Sequence, residues 1–142
     1  MSTDQGKAVV RRFLEEAWNE NRVAELDDYV SVDNIHHGGA ADWPFGPGAM
    51  RQLMQIWRTG FPDIQDQIGA LIAEDDLVAA RVTFTGTHTG VFKLGSRTLV
   101  PTGKALSEAE IFIFRLPDGK IVESWATWDR LNVLAQLGAM QI

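Results

Sequence analysis

Residues 123–130, ESWATWDR, combine two tryptophans with acidic residues in one short segment. A closed hydrophobic core accommodates tryptophans, but it does not accommodate acids without partners. A pocket that binds a ring compound and moves a proton uses both residue types, because rings supply flat apolar surface and a carboxyl group carries the proton. Whether this segment lines such a pocket depends on which of its side chains share a face with Glu110.

The faces follow from a predicted hairpin. Residues 116–120, LPDGK, favour a tight turn, because proline presets φ and glycine accepts the left-handed conformation. If residue 115 lies opposite 121, then 112 lies opposite 124 and 110 opposite 126, and paired residues share a face. One predicted face contains Glu110, Phe112, Phe114, Val122, Ser124, Ala126 and Trp128. The other contains Ile111, Ile113, Arg115, Ile121, Glu123, Trp125 and Thr127.

These two faces are expected to meet different surroundings. The first is expected to line a cavity. The second carries Trp125 among isoleucines, which would form an adhesive patch in water. We therefore expect a homodimer in which a second copy covers this face, with Arg115 and Glu123 paired as diagonal neighbours.

Two carboxylates, Glu110 and Asp129, are candidate catalytic groups. Glu110 is predicted to lie beside Ala126 on the pocket face, where burial among aromatic rings would raise its pKa. The alternative is an acid at the open rim of the sheet. Asp129 directly precedes a predicted helix, RLNVLAQ, so the alternative to a pocket role is a helix N-cap.

His37 is the third candidate, because an unperturbed imidazole titrates near neutrality. Alternation along a strand lets only one of His36 and His37 face inward, and the alternative for His37 is a structural histidine. Adjacent strand residues point apart and the chain has three histidines, which disfavours a metal site. With no cysteine and no phosphate-binding glycine loop, we expect neither a metal nor an organic cofactor.

A set of mostly aromatic residues is expected to contact the ligand. The WPF tripeptide at residues 43–45 lies in a glycine-rich segment and is predicted to form a lid. Several of the other residues lie on apolar helix faces, where core packing is the alternative, and for His88 the alternative is a role in stabilising a turn. The predicted contacts are Phe13, Trp18, Trp43, Trp57, His88, Phe112, Phe114, Ser124 and Trp128.

The elements that position these residues follow from the hydrophobic periodicity. Helical spacing predicts helices over 4–20, 23–30 and 47–59, and a short one within 129–138. Alternation predicts strands over 64–73, 77–88, 104–116 and 121–128, with a short strand near 35–37. Helices followed by antiparallel strands indicate a single α+β domain over residues 1–142, with helices on one face of a curved sheet and a ligand site at its concave mouth.

The bulk composition limits the partners. The chain has 142 residues, a net charge of −6 and no cysteine. An acidic surface argues against nucleic acid and anionic membranes as partners. No basic region precedes an apolar run at the N-terminus, and no apolar stretch approaches membrane-spanning length, so we expect a cytoplasmic protein.

Several segments resemble one known family. They are RRFLEEAWN (11–19), GTHTG (86–90), PTGK (101–104), IFRLPDGKIVESW (113–125) and WDRLNVLAQLGA (128–139). Together they resemble the SnoaL-like polyketide cyclases of the nuclear-transport-factor-2-like superfamily. The resemblance implies a cone-shaped α+β barrel, an apolar pocket and a dimer or larger oligomer.

The resemblance also implies cofactor-free acid/base chemistry on an enolisable carbonyl compound. His37 matches a histidine typical of the family, whereas Ala126 and Phe112 stand where its cyclases often carry acidic or histidine side chains. One hypothesis is therefore an enzyme of cyclase, isomerase or hydrolase type acting on a small apolar polyketide- or terpenoid-like carbonyl compound. The second is a non-catalytic binding protein for a hydrophobic small molecule. A third is an interaction protein that uses the sheet face.

Overall fold

The computed structural model describes residues 2–38 and 41–140, and the side chains of residues 2–38 and 46–140. Helix α1 (Thr3–Arg12) begins with a capping box, in which the Ser2 hydroxyl accepts a hydrogen bond from the Gln5 N–H and the Gln5 side chain accepts one from the Ser2 N–H. It continues into a π-helix (Phe13–Asn19). The single helix predicted over 4–20 therefore changes its hydrogen-bonding pattern midway.

The remaining helices lie close to their predicted positions. A 3₁₀ turn (Val23–Glu25) leads into the short helix α2 (Leu26–Tyr29), and α3 (Gly46–Gly60) follows β2. Helix α4 (Arg130–Gln136) ends the described fold. Among the described residues, no helix combines the length and the apolar character needed to cross a membrane.

The main sheet has six described strands in the order β2-β1-β8-β7-β4-β3. Strands β1 and β8 run parallel, and the other neighbours are antiparallel. Two short strands form a separate ribbon. The bounds are β1 (Val30–Gly38), β2 (Ala41–Phe45), β3 (Gln65–Glu74), β4 (Leu77–Thr87), β5 (Phe92–Leu94), β6 (Arg97–Leu99), β7 (Ala105–Arg115) and β8 (Ile121–Trp128). Strands β2, β5 and β6 are not among those predicted from the alternation.

The predicted α+β class with a mostly antiparallel sheet is confirmed. Helices α1 and α3 pack on the sheet, α1 against β3 and β4 and α3 against β1. The sheet is open rather than closed into a barrel, because β2 and β3 are its two described edges. We call the helix-covered face the inner face and the opposite one the outer face.

The β7–β8 hairpin has the predicted faces but a different register. Arg115 lies opposite Glu123, not diagonal to it, and Glu110 lies opposite Trp128 rather than Ala126. The β7–β8 ladder ends at Arg115, and the N–H of the next residue, Leu116, donates instead to the Asp76 carbonyl oxygen in the β3–β4 turn, at 2.9 Å. A shift of two residues leaves every side chain on its predicted face, because side chains alternate with a period of two.

Candidate active site

The inner face of β7 and β8 is filled at one end and accessible at the other. Phe114 is buried and meets the Phe13 ring edge-on at 5.8 Å. Two and four residues back along β7, Phe112 and Glu110 retain accessible surface, as does Trp128 opposite Glu110. An inward-facing side chain that remains partly accessible to solvent must border a space that the packing leaves open. The candidate pocket therefore lies at the Glu110 end of this face.

An aromatic wall bounds this space. We use this name for Trp57, Phe112 and Trp128. Trp57 of α3 meets the Trp128 ring at 5.5 Å in a T-shaped contact, and packs against Phe84 at 5.2 Å and Phe92 at 4.7 Å. The Phe112 ring stacks on Phe114 at 5.6 Å. Offset and edge-to-face contacts of this kind fix ring orientations and leave flat apolar surface for a ligand ring.

Glu110 forms a carboxyl pair with Glu108, which sequence reasoning missed. Glu108 is 4% exposed, and its Oε1 accepts a hydrogen bond from the Asp129 N–H at 2.8 Å. Burial raises the pKa of Glu110 well above its usual value, and the charges of Asp66 and Glu108 and a hydrogen bond with Glu108 act in the same direction. Burial also raises the pKa of Glu108. These causes favour the protonated form of Glu110, with Glu110 as donor and Glu108 as acceptor of the hydrogen bond between them.

A third carboxyl group faces the same space. Asp66 of β3 lies opposite Phe84 of β4, which in turn lies opposite Glu108 of β7. Partners across a sheet share a face, so Asp66 and Glu108 flank Phe84 on the inner face. Burial raises the pKa of Asp66 to about 7, and the nearby charge of Arg58 partly opposes this. The sequence predicted a strand here but did not single out its carboxylate.

The prediction that His37 projects into the pocket is wrong. Parallel pairing places His37 beside Trp125, on the outer face, where the rings stack at 5.5 Å. Its Nε2 lies 2.9 Å from Oε2 of Glu123. His36 is the inward histidine, because it pairs in register with Ser124, and its Nδ1 lies 2.7 Å from the Ser124 hydroxyl oxygen.

Asp129 and His88 take the structural alternatives considered for them. The exposed Asp129 accepts a hydrogen bond from the Asn132 N–H at 2.9 Å and caps α4. His88 is completely buried, with Nδ1 3.0 Å from the Thr102 hydroxyl and its ring stacked on Phe61 at 5.3 Å. Burial lowers the pKa of His88 and so favours the neutral imidazole.

The other predicted ligand contacts divide by their accessible surface. Trp57, Phe112 and Trp128 keep surface and form the aromatic wall. The backbone of Trp43 pairs with His36 in the β1–β2 ladder, and its side chain lies outside the described residues, so the lid prediction has no test there. The side chains that belong to the buried interior are Phe13, Trp18, Phe114 and Ser124.

The described side chains contain no group of three or more His, Asp or Glu residues placed to hold a metal ion. The inward carboxyls instead form a pair with its own hydrogen bond, and a neighbour that interacts with it through charge. What this arrangement can do chemically is hold and transfer protons beside an apolar wall.

Comparisons with known proteins show which solved structures share this fold. The chain is similar to TsrD from Streptomyces laurentii, at 28% identity and a TM-score of 0.85, with 99% of each chain covered. It is similar to AclR, a candidate hydroxylase from Streptomyces galilaeus, at 29% identity and a TM-score of 0.83, with 99% of this chain and 89% of that chain covered. IdmH, a candidate polyketide cyclase from Streptomyces antibioticus, is 27% identical with a TM-score of 0.77, with 94% of this chain and 99% of that chain covered.

A search of curated proteins gives no significant match. The model of the SnoaL-like polyketide cyclase family, in contrast, matches residues 8–137. The match includes α1 from residue 8 onward, the whole sheet and α4, and thus every residue of the candidate pocket. The chain therefore belongs to the SnoaL-like polyketide cyclase family.

Proposed function

We propose that the protein is a cofactor-free acid/base enzyme that acts on a small apolar carbonyl compound of polyketide or terpenoid type. Glu110 carries this proposal. It combines an inward position opposite Trp128, accessible surface, and a pKa raised well above the usual value by burial and by Glu108. A carboxyl group that stays protonated near neutrality can donate a proton that an ordinary glutamate has already lost.

The pocket favours one orientation of such a substrate. A ring stacks on the aromatic wall, and its carbonyl oxygen points to Glu110. When the neighbouring carbon loses a proton, negative charge develops on the carbonyl oxygen. Protonated Glu110 stabilises this charge by donating its hydrogen bond and then its proton. Glu108, fixed by the Asp129 N–H, receives the Glu110 hydrogen bond in the resting state and holds the proton in the pocket.

Glu110→Gln tests this role with 2-tetralone, an enolisable bicyclic ketone, as the probe. The wild-type protein is expected to accelerate exchange of the protons next to the carbonyl for deuterium, measured by proton NMR in D₂O. Glutamine keeps the size and the hydrogen-bonding capacity but cannot transfer the proton. The variant is therefore expected to lose about 10²-fold or more of the acceleration, with probe affinity, measured by tryptophan fluorescence, nearly unchanged.

Glu74→Gln is the matched control, because Glu74 is an exposed glutamate at the end of β3. It is expected to exchange the probe at the wild-type rate. Wild-type protein that gives no acceleration above buffer, or Glu110→Gln that exchanges as fast as wild type, would contradict the proposal.

A binding protein for a hydrophobic small molecule is the second candidate. The observation that favours it is the pairing of Phe112 with Ala126, which makes the middle of the inner face apolar. In that case Glu110→Gln leaves probe binding unchanged and no exchange is catalysed by either protein. Trp128→Ala weakens 2-tetralone binding under both proposals, because the ligand loses part of its stacking surface.

A further inference from the structure

We propose that Asp66 is the second acid/base residue of this pocket, and that the π-helix Phe13–Asn19 holds Asp66 and Arg58 in place for that role. The inference rests on the proposed function of Glu110. It assigns the base that takes the proton from carbon, whereas Glu110 serves the carbonyl oxygen.

The position of Asp66 supports this role. Its side chain lies on the inner face, as does that of Ile68, which packs against the core. Across the sheet, Asp66 lies opposite Phe84, and Phe84 lies opposite Glu108. The Asp66 side chain keeps part of its surface. After burial, the charge of Asp66 is a cause of the raised pKa of Glu110, so the two carboxyls influence each other's ionisation across this face.

The end of the π-helix fixes the backbone of Asp66. Asn19 Nδ2 donates to the Asp66 carbonyl oxygen at 2.8 Å, and Asn19 Oδ1 accepts from the Asp66 N–H at 2.6 Å. Strand β3 is an edge strand, and Asn19 occupies the place that a neighbouring strand would take. The backbone at Asp66 therefore cannot shift without losing two hydrogen bonds.

Trp18, the residue before Asn19, positions Arg58, the positively charged neighbour of Asp66. Arg58 of α3 donates a hydrogen bond from Nη2 to the Trp18 carbonyl oxygen. The last two residues of the π-helix thus position both Asp66 and Arg58. π-helical turns are uncommon and occur frequently at functional sites.

The two carboxyls are suited to opposite tasks. Burial raises the pKa of Asp66 to about 7 while Arg58 favours its ionised form, and the pKa of Glu110 is raised by burial, by Asp66 and by Glu108. Near neutrality a large share of Asp66 is ionised while Glu110 keeps its proton, which is the division of roles that acid/base catalysis needs. Asp66 takes a proton as the substrate C–H bond breaks, and Glu110 gives one as the O–H bond of the enol forms. The net change is transfer of one proton from carbon to oxygen.

Carboxyl ¹³C NMR titration tests the inference without a substrate. In the wild-type protein, Asp66 is expected to titrate near neutrality. Asp66→Asn removes a charge that opposes ionisation of Glu110, so the Glu110 midpoint is expected to fall by about one pH unit. Glu74→Gln, on the same strand but exposed, is expected to leave the Glu110 midpoint unchanged.

The 2-tetralone exchange then separates the two proposals. In the wild-type protein the exchange rate is expected to rise through neutral pH as Asp66 ionises. The Asp66→Asn variant is expected to exchange the probe about 10²-fold more slowly and to lack this rise. A wild-type Asp66 midpoint near 4, or an Asp66→Asn variant with wild-type exchange and an unshifted Glu110, overturns the role of Asp66. If Glu110→Gln still abolishes exchange in that case, the proposed function stands. If Glu110→Gln also keeps wild-type exchange, the proposed function fails as well.

Discussion

At the scale of single residues, ionising the inward carboxyls is unfavourable. The pKa of Asp66 rises from an ordinary 3.8 to about 7 on folding, and that of Glu110 is also raised. Between pH 3.8 and about 7, Asp66 is protonated more in the folded protein than in the unfolded chain. The contribution of Asp66 to the free energy of unfolding therefore falls as the pH rises from about 4 to about 7. Below this window both states are protonated and Asp66 contributes nothing; above it the full destabilisation remains.

The Asp66→Asn substitution is expected to remove part of the pH dependence of the free energy of unfolding. At pH 8 the variant should be more stable than wild type by about 1–2 kcal/mol, since partial solvent contact reduces the effect below that of a fully buried charge. At pH 3.5 the two should be equally stable. Urea denaturation at both pH values measures the difference, with Glu74→Gln as control. An Asp66→Asn curve that runs parallel to wild type at every pH would contradict the burial of this charge.

The positions of Glu110, Glu108 and Asp66 on the inner face could not all be predicted equally well from the sequence. Glu110 could be placed on the inner face because it alternates with Phe112 and Phe114, and the same two-residue spacing contains the signal for Glu108. The face of Asp66 depends on a bulge between Ile68 and Ala70, and its hydrogen bonds come from Asn19, 47 residues away. Such long-range partners leave no local pattern.

The orientation of His36 and His37 also depends on partners that are distant in the sequence. Alternation correctly separates His36 from His37, but which of the two faces inward depends on the parallel register of β1 with β8. The contacts across these two strands join residues far apart in the chain: His37 and Glu123 are 86 positions apart, and His36 and Ser124 are 88 positions apart. A local reading of residues 35–37 could not supply it.

At the scale of elements, the end of α3 fits closely against the chain that follows β4. The Gly90 N–H donates to the Gly60 carbonyl oxygen at 3.1 Å. A Cβ on Gly90 would lie 1.8 Å from the Thr59 carbonyl oxygen, and one on Gly60 would lie 2.7 Å from Cβ of Phe92. This close approach lets Phe92 reach Trp57 and so supports the aromatic wall from behind.

Gly90→Ala is therefore expected to destabilise the protein by about 3 kcal/mol or more, because backbone atoms would have to move apart. Gly48→Ala is the matched control. Gly48 lies in helix α3, and its added Cβ would meet nothing within 4 Å. It is expected to stabilise by about 0.5–1 kcal/mol through helix propensity. Thermal unfolding followed by circular dichroism compares the two, and a Gly90→Ala protein as stable as Gly48→Ala would contradict the packing.

The long elements could be predicted because their periodicity is strong. The predicted bounds of β8, 121–128, agree with the structure, and α3 differs from its prediction by one residue at each end. Strands β5 and β6 have three residues each, too few for alternation to show. The π-helix was predicted as ordinary helix, because its buried residues Phe13, Leu14, Ala17 and Trp18 also fit an α-helical stripe.

At the scale of the whole molecule, the outer face of the sheet exposes apolar side chains. Ile111 is 45% exposed and Ile113 is 37% exposed, and both flank the half-buried Trp125 across the hairpin. The Arg115 guanidinium lies over the Trp125 ring at 5.8 Å. Contiguous exposed apolar surface of this kind marks interaction sites. We propose that a second copy of the chain covers this face.

Ile113→Lys is expected to weaken such a dimer, because the introduced charge would have to be buried at the interface. Light scattering at micromolar concentration should give a dimer mass for wild type and a monomer mass for the variant. Val100→Lys, which replaces an exposed valine outside the main sheet, is the control and should remain dimeric. A monomeric wild-type protein would contradict the proposal.

The π-helix also limits how the chain length can change. Its wider hydrogen-bonded ring holds one residue more than an α-helical ring. Deleting one residue between 13 and 19 would let an unbroken α-helix form while the flanking segments keep their facing, because an α-helical turn covers the same rotation with one residue fewer. Val10 would stay in the core and Asn19 would stay with Asp66. Homologous proteins that keep the Asn19–Asp66 contact are therefore expected to accept the loss of one residue in this segment, whereas loss of a second residue would turn one end of the helix by about 100° and move Val10 out of the core.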